Sequence, residues 1–231
     1  MTVADSLLWR NATRVHDWRN LEIPLRILDV WISLGLVTGA DWVEGASGRT
    51  RKASIPASKL AETIRAQPPG RDDRITIRMG GGGPREWRLT GILFPKAVGM
   101  SLFNLTVAYD DALPPPIRLA DTFVSLYSPE TADAAFIHTD PQWTHLAAGP
   151  YKPPLVTTPT FAGVCWSNYL GPGHLVDFSV AKLKEMQAYR TEWRDDSGMF
   201  LIAGPTLENA LTPEGEHELL RLTAEFRAAK L

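Results

Sequence analysis

Leu21, Leu25, Leu28 and Ile32 recur at three- and four-residue spacing through LEIPLRILDVWISLGL, the period of one face of a helix. Pro24 falls in the first turn of that helix, where its missing N–H is harmless, and Gly35 and Gly39 punctuate the exit. A polar, glycine-bearing loop follows. SIPASKLAETIRAQPPG then predicts a short helix begun by Pro56, striped by Leu60 and Ile64, and ended by Pro68-Pro69-Gly70.

The period changes after residue 73. RITIRM, EWRLTGILFP and SLFNLTVAYD alternate, and in the last of these Phe103, Leu105, Val107 and Tyr109 share one face. Three such strands with short connections predict an antiparallel meander. DDALPPP breaks it, and IRLADTFVSLYSPETADAAF returns to helical spacing, with Ser128-Pro129 opening a new turn.

Beyond TDPQWTHLAAGPYKPPLVTTPT the pattern predicts a strand in FAGVCWSNYL and a hairpin in EMQAYRTEWRDDSGMFLIAG, turned by Asp196-Ser197-Gly198. On that first strand Trp166 and Tyr169 lie three apart and should face opposite sides. Thr212 as N-cap, Pro213 at the first helical position and acidic residues in the first turn begin a final helix striped by Leu219, Leu222 and Phe226. The expected fold is α+β: a largely antiparallel sheet with helices packed on it, a helical N-terminus and a C-terminal helix. The 231 residues read as one domain, and the Pro-rich loop near 149–159 is where a subdomain boundary would fall.

Charge alters this picture more than composition does. The net charge of −2 is small, but residues 1–100 carry fifteen Lys+Arg against ten Asp+Glu, while residues 101–231 carry nine against sixteen. A basic first part, +5, is followed by an acidic remainder, −7. One cysteine cannot form an internal disulfide, the N-terminus lacks a signal peptide's apolar core, and no segment is apolar enough to span a membrane. The expected setting is the cytoplasm, without a membrane partner.

Candidate chemistry is sparse. Cys165, the lone cysteine, has His174 nine residues on, so a cysteine hydrolase is one reading. Its predicted place mid-strand between Val164 and Trp166, with no activating charge beside it, argues instead for an inert buried thiol. GGGG at 80–83 lacks the Lys-Ser/Thr of a phosphate loop and reads as a flexible hairpin connection. His138, Asp140 and His145 match no common metal spacing, and Asp140-Pro141 is turn chemistry. No metal, cofactor or catalytic group is expected. Arg71, Arg74, Arg78, Arg85 and Arg88 leave a nucleic-acid binder as a further reading, although direct nucleic-acid contact is not the expectation.

What remains is surface. Asp72-Asp73, Asp110-Asp111 and Asp195-Asp196 flank predicted strands or turns, where an acidic face would suit a basic partner. The order of GVCWSNYL, GPGHLVDF, the hairpin ending in GMFLIAG and the capped helix TPEGEHELLRL resembles the immunity protein 52 family and related type VI secretion immunity families. The helix LDVWISLGL and the loop TDPQW fit the same layout. That resemblance implies an antitoxin that neutralises a cognate toxin, of nuclease type, by protein–protein contact. The expected contact residues are Asp110, Asp111, Glu192, Asp195 and Asp196, with Trp143 and Trp193 as aromatic anchors.

Overall fold

The computed structural model describes residues 6–14, 16–44, 48–70, 72–82, 85–95, 98–110, 113–139, 163–195 and 197–231. Ten strands and six α-helices lie among these residues, an α+β protein whose strands pair in largely antiparallel fashion. The chain divides into two compact units, one of Trp9–Pro114 and one of Met1–Leu8 with Pro115–Leu231. The Pro-rich loop at 149–159 lies outside the described residues.

The unit of Trp9–Pro114 is built on a meander. Strand β4 (Ile75–Gly81) pairs with β5 (Trp87–Leu93), and β5 with β6 (Ser101–Ala108), as the alternation predicts. The register aligns Ile77 with Gly91 and Phe103, and Met79 with Leu89 and Leu105, so their side chains share one buried face. Helix α1 (Glu22–Ser33) supplies the cover. Its Trp31 stacks on Phe103 at 5.3 Å between ring centroids, and Trp9 meets Trp31 edge-on at 6.2 Å. The buried stripe of α1 is Pro24, Leu25, Ile27, Leu28 and Trp31, and Ile32 is only half-buried. Leu21 caps α1 in the left-handed region with φ 64° and is itself buried.

The remaining strands of this unit are β2 (Gly39–Glu44) and β3 (Thr50–Pro56), in the order β3-β2-β4-β5-β6. The sequence hides β3, because its first three residues are polar and exposed and only Ala53 and Ile55 of TRKASIP are half-buried. Helix α2 (Ala57–Arg65) follows without a break, N-capped by Pro56 and burying Leu60 and Ile64 as expected. The glycine run is also not a flexible connection throughout. Gly80 and Gly81 are strand residues of β4. A Cβ at Gly80 would lie 2.5 Å from the Trp87 carbonyl and 2.7 Å from the Trp42 ring, and one at Gly81 would lie 2.2 Å from the Gly39 carbonyl.

The described chain does not begin with a helix. Strand β1 (Ser6–Thr13) precedes α1, and it is buried on both faces, so no alternation betrays it. Within this unit, β1 borders β6: the Asn11 N–H donates to Asn104 Oδ1 at 3.0 Å, and the Asn11 side-chain amide donates to the Phe103 carbonyl.

In the other unit the strand order is β7 (Ala134–Thr139), β8 (Ser167–Leu170), β10 (Gly198–Ile202), β9 (Arg190–Arg194). Helix α3 (Pro116–Leu126) packs on one face, where Phe123 meets Phe200 at 6.3 Å. On the opposite face Leu170, Met199 and Leu201 pack with Leu183 of α5 (Val180–Glu185) and with Leu219, Leu222 and Phe226 of α6 (Pro213–Ala228). A single turn, α4 (Pro172–Leu175), links β8 toward α5. The start of α6 is as read from sequence: Thr212 Oγ1 accepts the Gly215 N–H at 3.1 Å and Pro213 occupies the first position.

The close approach at β4 generates a prediction. Gly81→Ala has backbone on its clashing side and should cost about 1–3 kcal/mol or more, the scale of overpacking a core. Gly82→Ala meets nothing nearer than Asp41 Oδ2 at 3.5 Å and should be close to neutral. Urea unfolding of the two variants checks the contrast, and equal midpoints would contradict the packing described.

Candidate functional site

Of the four expected contact residues that can be placed, Glu192, Trp193 and Asp195 lie on one hairpin and Asp110 does not. Arg190 to Arg194 pairs with Gly198 to Ile202, the ladder closing at Arg194 and Gly198, so Asp195 and Ser197 lie in the turn and Gly198 belongs to β10. Asp195 is exposed there with φ 47°, a left-handed conformation that aspartate tolerates, and the Ser197 N–H and Oγ both donate to the Arg194 carbonyl at 2.9 Å.

Strand alternation separates the other two. Glu192 lies opposite Phe200 on the face covered by α3, and Trp193 lies opposite Met199 on the face covered by α5 and α6. Glu192 is held by Arg190 at 2.5 Å, and Arg190 also grips Asp121 of α3 at 2.6 Å. Those bonds, the one to Asp121 foremost, raise the affinity of the Arg190 guanidinium for its proton. Trp193 is half-buried beneath the Lys184 ammonium, 5.5 Å from its ring centroid. Of the three, Asp195 presents its charge most openly.

Asp110 lies in the unit of Trp9–Pro114 and has a structural task. The Arg85 side chain is only 8% exposed, and Asp110 takes its Nε at 3.0 and 3.1 Å and its second nitrogen at 2.8 Å. Asp111, Asp196 and Trp143 lie outside the described residues.

The arginines proposed as a nucleic-acid surface are largely engaged within their own unit. Arg85 is clamped by Asp110, Arg78 pairs with Glu44 at 2.6 Å, and Arg74 pairs with Asp72 at 3.4 Å while lying over the Phe94 ring. Arg71 is outside the described residues. Arg88 rests over the Trp42 ring at 5.8 Å, and Trp42 in turn lies against Gly80. This exposed face of the meander, with Trp42, Glu44, Thr50, Arg78, Arg88 and Thr90 around a shallow depression, was not legible as a surface in the sequence. The one signal was a glycine in a strand, which marks a close approach.

Cys165 is not on a strand. β8 begins only at Ser167, and Cys165 lies in the turn before it, 2% exposed. The Asn168 side chain fixes that turn: its Oδ1 accepts the Cys165 N–H at 2.7 Å, and its Nδ2 donates to the Cys165 carbonyl at 2.7 Å. Trp166 therefore also precedes the strand, fully buried, with its indole N–H donating to the Gly204 carbonyl at 2.8 Å. Tyr169 is equally buried, stacked on Tyr127 at 5.7 Å and tilted over Phe200 at 4.8 Å. Its hydroxyl has no hydrogen-bond partner. Burial, and secondarily the Asp133 carboxylate, push that phenol well above its ordinary range. His174 is buried in α4, and His138 is buried in β7 with Nδ1 3.0 Å from the Thr139 carbonyl oxygen. Asp140 and His145 lie outside the described residues, and among those described no cluster of side chains is arranged to hold a metal ion. No described helix is long and apolar enough to cross a membrane.

Two predictions concern these groups. Asp110→Asn removes the charge that neutralises a buried guanidinium and should cost about 1–3 kcal/mol. Asp195→Asn should leave the unfolding midpoint unchanged, and a comparable loss in both would refute the division between structural and surface acids. Tyr169 titrates higher folded than unfolded, so the folded state keeps a proton the unfolded chain sheds. Its contribution is complete below the ordinary phenol range and fades as pH rises past about 10. Tyr169→Phe should match wild-type stability at neutral pH or exceed it, and lose less between neutral pH and about 11. A steeper alkaline loss in the variant would contradict this.

No family model matches the chain, and no curated protein matches it. Among solved structures, the Pseudomonas aeruginosa protein described as T6SS protein PA0821 has a similar fold, with a TM-score of 0.60 at 12% identity over 98% of this chain and 77% of that one. At that identity the likeness shows a shared fold.

Proposed function

We propose that this protein is an immunity protein that neutralises a cognate bacterial toxin of nuclease type by binding it, without chemistry of its own. The observation that carries the reading is the fold match along 98% of the chain to a protein described as belonging to a type VI secretion system. Fold alone does not determine function, so the match is joined to surface chemistry. The unit of Met1–Leu8 and Pro115–Leu231 holds nine Lys+Arg against fifteen Asp+Glu, a balance of −6; the unit of Trp9–Pro114 holds fifteen against eleven, +4. An acidic body suits the basic cleft with which a nuclease holds its phosphates. On it the hairpin tip places Asp195 where it can steer association, while Trp193 lies half-buried beside it in sequence.

The test is co-expression in bacteria with the product of the adjacent gene. Growth restored by this protein, with recovery of a complex, is the expected result. Asp195→Lys should slow association at low salt and lose that effect at high salt, while leaving the melting temperature unchanged. Arrested growth despite both proteins accumulating would overturn the reading.

A further inference from the structure

Strand β3 ends its strand order, hydrogen-bonded to β2 along one side, and among the described residues no strand pairs its other side. An antiparallel ladder uses only half of an end strand's backbone groups, so the remaining N–H and C=O groups point outward. Beside that edge runs a groove formed with α2. Val43, Arg51 and Ile55 line it from the sheet, Lys59 and Thr63 line it from the helix, and Gln67 lines it just past the helix end. Val43 is buried and Ile55 half-buried, so the groove has an apolar floor under a polar rim.

The edge is also cationic. Arg49, Arg51 and Lys52 are all exposed in the run RTRK. The register places Arg51 across from Val43 on the groove side, and Lys52 across from Trp42 on the opposite face. Two carboxylates of the neighbouring elements are engaged: Glu62 of α2 by Lys59 at 2.9 Å, and Glu44 of β2 by Arg78.

We propose that this edge and groove seat an extended acidic segment of the toxin, added as a further strand to β3. Outward backbone groups supply main-chain pairing, and the groove takes the apolar side chains that point toward α2. Carboxylates on alternate sides of the incoming strand meet Arg51 and Lys52. A second copy of this chain is a poor occupant, because it would set the same cations along one seam. Cationic residues on an end strand also discourage aggregation, but that role does not require a groove beside them. The proposal rests on the immunity reading for the identity of its partner, not for the site.

The experiment uses the full chain and two probes. The first is a fluorescein-labelled peptide of about eight residues in which two adjacent glutamates put a carboxylate on each face of the strand and valines fill the other groove-facing positions, with a glutamine-for-glutamate control. The expected result is saturable anisotropy with the acidic peptide, weakened about tenfold or more by Arg51→Glu/Lys52→Glu and by the groove-filling Thr63→Tyr. Backbone amides of β3 should gain hydrogen-exchange protection. Binding that ignores these substitutions, or protection that appears elsewhere, overturns the site. The second probe is the toxin of the co-expression assay. Slower toxin association for Arg51→Glu/Lys52→Glu, with wild-type melting, supports the seat. Unchanged toxin association overturns the inference and leaves the immunity reading standing. Peptide captured at β3 without any toxin rescue sinks the immunity reading and keeps the site for another acidic strand.

Discussion

The contact on which most of the Trp9–Pro114 unit depends is the approach of β2 to β4 across Gly80 and Gly81. With no side chain at either position, the Gly39 carbonyl and the Trp42 ring come against β4, and the Trp87 indole N–H donates to the Gly39 carbonyl at 3.1 Å. Gly82 continues the clasp, its N–H donating to Asp41 Oδ2 at 2.6 Å. β3 lies beyond β2 at the end of the strand order, and α2 starts directly after its last residue, Pro56. Trp42 lies on the exposed face, where Arg88 covers it. The close approach of Trp42 to β4 depends on the side chain missing at Gly80.

Charge is organised differently in the two units. In the acidic one, arginines tie elements together: Arg190 joins β9 to α3, and Arg221 of α6 takes Glu218, Glu225 and the Gln187 carbonyl. Those bonds hold the Glu218 carboxyl below its usual range. Exposed pairs of this kind contribute little to stability singly, but they fix which acids remain available to a partner. In the basic unit the same sorting leaves the cations of β3 open while Arg85 and Arg78 are engaged. Under the proposed reading, surfaces of opposite sign in the two units would meet a basic cleft and an acidic segment of the same toxin.

Much of this was readable from local signals and the rest was not, for physical reasons. The meander followed from period-2 alternation, and α6 from Thr212 and Pro213, because both signals act within a few residues. β1 escaped because both its faces are buried, and β3 because only Ala53 and Ile55 form its apolar face, too short a run to read as alternation. The turn at Cys165 looked like strand because VCWSNYL is apolar, whereas the Asn168 side chain pulls the backbone into a turn. The acidic candidates were legible as exposed turn residues, but their engagements were not. Arg85 and Asp110 are 25 residues apart, and Arg190 and Asp121 are 69 apart, separations over which sequence carries no contact signal.

Neutralisation by contact, as proposed, is tested by titrating this protein into the purified product of the adjacent gene while that product's activity on nucleic acid is followed. Inhibition should be complete at a fixed stoichiometric ratio, with the mass of both chains unchanged. Inactivation of many toxin molecules by each copy of this protein, or a covalent change in the toxin, would contradict it.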